Sequence, residues 1–200
     1  MMYIDKHHLM QDGHNVDFLP TPNMGGTITP QYLVLHYTAG GSAAGAVSWL
    51  TSAQSKASAH LVIGRDGKIT QLVPFNRCAW HAGKSRWNGF DNLNELSIGI
   101  ELVNAGMLTL KNGDWRTPSQ TLVADDDVVV AVHKNDTVER GWQKYPEAQV
   151  LACAAVARAL FAEYPLSEII GHDDIAPFRK IDPGPAWPMD EFRTLIFGKR

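Results

Sequence analysis

His36 stands inside YLVLHYT (residues 32–38), a run whose other side chains favour burial. An imidazole there is either a hydrogen-bonded core residue or part of a site, and taken alone the first reading is favoured. His172 shifts the balance, because it ends the strand-like EIIGH and opens GHDDIAPFRKIDPG, where Gly171, Pro177, Pro183 and Gly184 set a shaped loop. Asp182 follows ten residues after His172. Two histidines and a carboxylate suit a catalytic zinc, which commonly has three protein ligands and leaves the fourth position to water. The remaining histidines offer less. No His-Glu-x-x-His occurs, so the helical zinc-protease pattern is absent. His7, His8 and His14 lie in a segment without apolar period and read as solvent-facing. His133 sits in a weakly patterned stretch and receives no role.

These residues need elements to hold them. Residues 1–30, rich in Gly, Pro, Asn and His, read as an arm that enters the domain through Pro20, Pro22 and Gly25–Gly26. Residues 32–38 suit a buried strand. Residues 42–51 follow, with Ala44, Val47 and Leu50 spaced for one helical face. The runs at 60–64 and 69–74 flank Asp66-Gly67, a strong hairpin signal. SIGIELV (97–103) is a further strand candidate whose apolar residues bracket Glu101. Residues 104–127 read as a long surface excursion, and 128–133 as a short strand. Pro146–Tyr164 is the clearest helix: proline is tolerated in the first turn, Glu147 suits the N-terminal dipole, and the pattern stops before Pro165. Val150, Ala154, Ala157 and Phe161 make its buried stripe. Alternating strands and helices predict an α/β chain with one central sheet.

Composition narrows the classes. At 200 residues, 44% hydrophobic and 20% charged, the chain suits one folded domain rather than a disordered segment. A net charge of −3 argues against an electrostatic nucleic-acid binder. No apolar run reaches the roughly 18–20 residues of a membrane span. The start lacks the apolar stretch of a secretory signal, so cytoplasmic synthesis is expected, with release by lysis or specialised export also open. Cys78 and Cys153, the only cysteines, exclude a disulfide scaffold and read as buried apolar thiols.

LVLHYT, SAHLVIGRDGKITQLVP, AWHAG, NELSIGIELVN and GHDDIAPFRKIDPGPAW occur in the order seen in zinc-dependent N-acetylmuramoyl-L-alanine amidases. The chain resembles the AmpD-like and phage-lysozyme type, whose fold is shared with peptidoglycan recognition proteins. The resemblance spans about residues 20–197. It implies a single central mixed sheet flanked by helices, an arm over 1–30 and a zinc amidase catalytic domain over 31–200. It also implies zinc on His36, His172 and Asp182, with Glu101 and Lys180 catalytic, and cleavage of the amide joining muramic acid to L-alanine in peptidoglycan or muropeptides. Ala59 stands where some phage members carry a tyrosine, which favours a Glu/Lys mechanism. Trp80 and His81 (AWHAG) are implied to line the substrate cleft.

A physical account stands beside the resemblance. Amide hydrolysis needs a nucleophile, stabilisation of charge on the carbonyl oxygen and a proton for the departing amine. Glu101 on its strand could move that proton, and Lys180, two residues from a ligand, could face the developing oxyanion. Tyr37 should alternate to the opposite sheet face, away from the site. His60 reads as structural. The alternative from another class is a recognition module of the same fold that binds muropeptides without cutting them. Asp182 and Lys180 argue against it, since non-catalytic relatives lack the third ligand.

Overall fold

The computed structural model describes residues 1–198. The first thirty residues, expected to lack periodic structure, form short strands. β1 (Met2–Asp5), β2 (His8–Gln11) and β3 (His14–Asn15) make a small antiparallel sheet. β4 (Asp17–Phe18) joins an edge of the central sheet, and β5 (Met24–Thr27) pairs with residues 77–79. Strands of two to four residues are too short to show a period. Burial fastens them: Leu9 is fully buried in the main core, and its N–H donates to Gln71 Oε1 at 2.8 Å. Two of the arm's histidines depart from their expected exposure. His7 is half-buried with Nδ1 2.7 Å from the Tyr164 hydroxyl, and half-buried His8 meets the Phe18 ring edge-on. His14 is exposed.

β6 (Tyr32–Tyr37) leads to α1 (Ala43–Thr51), whose first turn is capped by Ser42 Oγ accepting from the Gly45 N–H at 3.1 Å. The buried face of α1 is Ala43, Ala46, Val47 and Leu50; Ala44, expected on it, is exposed. β7 (Leu61–Ile63) and β8 (Ile69–Gln71) form the expected antiparallel hairpin, with Gly67 at φ +82 in its turn. β9 (Arg77–Ala79), β10 (Arg86–Trp87) and β11 (Phe90–Asp91) precede β12 (Ser97–Leu102).

The stretch expected as a surface excursion is instead built of strands. β13 (Met107–Lys111), β14 (Asp114–Arg116), β15 (Leu122–Val123), β16 (Val128–Val132) and β17 (Glu139–Gln143) form a five-stranded antiparallel sheet, in the order β15-β14-β13-β17-β16. Asn112-Gly113, both at positive φ, turns β13 into β14, a legible hairpin signal. The strands hide because their outer faces stay exposed, so apolar alternation is weak; the small core beneath is Ala105, Leu108 and Val123.

α2 (Glu147–Glu163) ends where Pro165 predicts; β18 (Glu168–Gly171), α3 (His172–Ile175) and α4 (Met189–Phe197) complete the chain. The central sheet runs β18-β6-β12-β7-β8-β4. β18, β6, β12 and β7 are mutually parallel, and β8 runs against β7. Parallel strands covered on both faces read as continuous apolar runs, which is what YLVL, SIGI and EIIG are. Leu33, Leu35, Ile98, Ile100 and Ile169 pack on one side against Cys153, Val156, Ala157 and Leu160 of α2. Fully burying one such leucine or isoleucine stabilises the fold by about 1.5–3 kcal/mol. Tyr32, Val34 and Ile170 face the other side, and by two-residue alternation His36 belongs with them.

Cys153 lies under the sheet with no exposure and Cys78 is buried in β9; neither is bonded to the other. Thiol titration of the unfolded, non-reduced protein is expected to find two free thiols, and recovery of none would contradict this. Among the described residues no helix is long and apolar enough to cross a membrane.

Candidate active site

Parallel pairing brings the chemistry to one edge. Glu101 of β12 lies directly beside His36 of β6, while β18 pairs Gly171 with Leu35 and delivers His172 just beyond its end. These are the carboxyl ends of the strands, where open α/β sheets commonly place their sites. The Pro/Gly loop then returns Asp182 to the same point. His36 Nδ1 lies 2.8 Å from His172 Nδ1 and 3.1 Å from Asp182 Oδ2, and the third side, His172 to Asp182, is 2.9 Å. All three residues are buried.

The donor chemistry fits a cation. His172 Nε2 lies 3.0 Å from the Ala82 carbonyl, which can only accept, so Nε2 carries hydrogen and Nδ1 is the nitrogen that can offer a lone pair to a cation at the cluster. His36 has its Nε2 engaged 2.9 Å from His81 Nδ1. Burial pulls His36 down to about 4, with the neighbouring His172 adding to the shift, so its ring is neutral near pH 7. Burial opposes ionisation of Asp182, but its close contact with the His172 and then the His36 imidazole outweighs it and holds the carboxyl below its ordinary range. Two imidazole nitrogens and an ionised oxygen converging in a buried triangle form a ligand set suited to zinc.

Beside the triad a cleft of about 380 Å³ is bordered by Trp80, His81, Glu101, Lys180 and Asp182. Glu101 Oε2 is buried there with no hydrogen-bond partner among the described residues. Burial pushes its carboxyl up to about 8; Asp182 adds to the rise and Lys180 opposes it. Trp80 and Trp49 of α1, which also borders the cleft, are exposed. Of the AWHAG pair, Trp80 is therefore open to solvent, whereas His81 is 8% exposed and sits against His36. Tyr37, expected away from the site, also borders the cleft at the end of β6, its ring packed so closely on Gly106 that a Cβ there would lie 2.3 Å away. His60 is structural: Nδ1 accepts from the Gly99 N–H at 3.0 Å and Nε2 donates to the Arg77 carbonyl at 2.9 Å.

His133 was given no role by its sequence surroundings. It is buried, with Nε2 2.9 Å from Asp173 Oδ2. Lys134 Nζ reaches Asp173 Oδ1 at 2.8 Å. The five-stranded sheet thus grips the residue next to His172. No sequence signal marks this contact, because its partners lie forty residues apart.

Fold and donor set place the chain among α/β proteins with a metal-type site at the carboxyl ends of parallel strands. A family model described as N-acetylmuramoyl-L-alanine amidase matches residues 26–185, and the chain belongs to that family. The 1,6-anhydro-N-acetylmuramyl-L-alanine amidase AmpD of Escherichia coli (strain K12) is 38% identical over 146 residues, 72% of this chain and 61% of that protein. The N-acetylmuramoyl-L-alanine amidase AmiD of the same strain is 32% identical over 184 residues, 83% of this chain and 53% of that one. The matched stretch thus spans little more than half the length of these curated relatives. A crystal structure of an AmpD derivative superposes with a TM-score of 0.71 at 28% identity, covering 98% of this chain and 99% of that one. The E. coli AmiD complex with anhydro-N-acetylmuramic acid-L-Ala-D-gamma-Glu-L-Lys gives 0.65 at 27% identity, covering 99% of this chain and 66% of that one.

Proposed function

We propose that this protein hydrolyses the amide between N-acetylmuramic acid and L-alanine in peptidoglycan or muropeptides, using zinc held by His36, His172 and Asp182. The observation that carries the reading is the convergence of three buried donor atoms beside a carboxylate oxygen with no partner. Support for the substrate class comes from AmiD, whose complex contains an anhydromuramyl peptide, and from AmpDh3 of Pseudomonas aeruginosa, described with an anhydromuramic pentapeptide. Residues 31–200 form the catalytic unit on this reading, with 1–30 as an arm fastened to it.

Zinc bound at the triad supplies an acidified water and polarises the carbonyl. The chain's own groups do the rest. With the triad's cation offsetting the burial that raises its carboxyl, an ionised Glu101 would use Oε2, free of hydrogen bonds, to take the proton from the attacking water and pass it to the departing amine. Lys180, which borders the same cleft, would use its ammonium to offset the negative charge that grows on the carbonyl oxygen. Trp80 supplies an apolar wall for the substrate. A module that only bound muropeptides would have no use for a buried, unpartnered carboxylate, which is costly to retain.

Mass spectrometry of digested peptidoglycan tests this directly. New L-alanine amino termini beside intact lactyl groups support amidase action; no release, or cleavage at another amide, refutes it. Lys180→Ala is expected to lower turnover by about 10²–10³-fold while zinc content stays that of wild type. Loss of zinc in that variant would remove Lys180 from the proposed role.

A further inference from the structure

His81 borders the cleft yet turns both ring nitrogens away from solvent, into a chain of hydrogen bonds that ends on a metal-site histidine. The Leu93 carbonyl can only accept, so the Ser97 hydroxyl donates to it. The lone pairs left on Ser97 Oγ face His81 Nε2 at 3.3 Å, and that nitrogen must therefore carry hydrogen. His81 Nδ1 is then bare and accepts from His36 Nε2 at 2.9 Å. The hydrogen on His36 is committed to Nε2, and Nδ1 is presented bare to His172 and Asp182.

The surroundings hold this order in place. Asn94 Oδ1 accepts from the backbone N–H groups of His81 and Ala82 at 3.0 and 2.7 Å, fixing the loop that carries the ring. Gly99 leaves room for it: a Cβ there would come within 2.4 Å of the His81 ring. A glycine inside a central strand weakens that strand and often marks a close approach by another group. The rings of His36 and His81 meet edge-on, 5.0 Å between centroids at 79°, which aims Nε2–H along the ring plane at its acceptor.

On the reading of the triad as a zinc site, we propose that His81 is a positioning residue, which accepts from His36 Nε2 and thereby selects the His36 tautomer that offers Nδ1 to the metal. Partners of this kind orient metal-binding histidines, and their loss typically weakens metal affinity by about 10–100-fold. Ser97 is the second half of the device, because its hydroxyl decides which nitrogen of His81 accepts.

Two substitutions separate this role from space filling. His81→Phe keeps a ring over Gly99 but cannot accept a hydrogen bond. His81→Asn gives up volume but keeps an acceptor oxygen near the place of Nδ1. Zinc affinity is measured by competition with a chromogenic chelator. Histidine tautomers are read from two-bond ¹H–¹⁵N correlations of metal-free protein. The phenylalanine variant is expected to bind zinc about 10–100-fold more weakly than wild type, and the asparagine variant to recover most of that loss. Wild-type metal-free protein should show His36 and His81 both protonated on Nε2. Ser97→Ala, which leaves the ring in place, should bind zinc more weakly than wild type and lose the single tautomer of His81. Equal zinc affinity for wild type and His81→Phe, or a His36 protonated on Nδ1 in the metal-free wild type, overturns the proposal. Failure of the wild type itself to bind zinc would count against the triad as a zinc site, while the tautomer spectrum still decides whether His81 orients His36.

Discussion

Asp182→Ala is expected to empty the site of zinc and to end turnover with it. Asp182 is the one anionic donor of the three, and its carboxyl stays ionised because contact with the His172 and His36 imidazoles outweighs the burial that opposes it. Removing it leaves two imidazole nitrogens 2.8 Å apart with no carboxylate among the donors to balance a divalent charge. Loss of a supporting partner outside the ligand set already costs about 10–100-fold in affinity, so losing a ligand should cost more. Metal analysis of the purified variant, set beside its amide-cleaving rate, decides the matter. Wild-type occupancy with retained activity would take Asp182 out of the ligand set. Chelator treatment of the wild type should reproduce the inactive state, and added zinc should reverse it.

Glu101→Gln is expected to keep zinc and lose about 10²–10⁴-fold in turnover, the usual cost of removing a general acid–base group. Its double variant with Lys180→Ala should lose less than the product of the two single losses, because both groups serve one step. The same substitution carries a pH signature in metal-free protein. The folded carboxyl is raised from 4.5 to about 8, burial being the main cause. Between those values the folded state holds a proton that the unfolded chain has given up, so this group's contribution to stability falls as pH rises. Glutamine has no such proton. The melting temperature of Glu101→Gln relative to wild type should therefore be higher at pH 9 than at pH 4. A difference that stays constant with pH would mean that Glu101 is not held in the dry setting described above.

Much of this site was legible because its residues break local patterns. A histidine in YLVLHYT and a glutamate in SIGIELV are polar interruptions of runs that otherwise ask for burial, and they lie side by side near the ends of paired strands. GHDDIAPFRKIDPG announced a shaped loop for the same reason. Contacts between distant segments left no such mark. His81 borders the cleft as AWHAG suggests, but nothing near it in sequence reveals that Ser97 and His36 claim its two nitrogens. His133 was set aside because Asp173 is its partner only after the five-stranded sheet folds across. Tyr37 follows the alternation rule poorly because β6 ends there and Gly106 makes room for the ring. The second sheet had one clear sign in Asn112-Gly113, outweighed by the acid run 125–127 and by strands left half in water.

The parallel order β18-β6-β12 has a consequence for how the molecule folds. Strand pairing places residue 32 beside both residue 97 and residue 168, and such long loops must close before any contact between them repays the entropy lost. The triad shares that history, since His36 and Asp182 are 146 positions apart. A chain still emerging during synthesis holds His36 early but has no cation site until its last strand and loop arrive. A metal ion held there would favour chains that include Asp182, and at a free concentration a thousandfold above its dissociation constant it would add about 4.1 kcal/mol to the unfolding free energy. If the triad holds a metal, its supply would then act on the folding equilibrium only once the chain extends through Asp182.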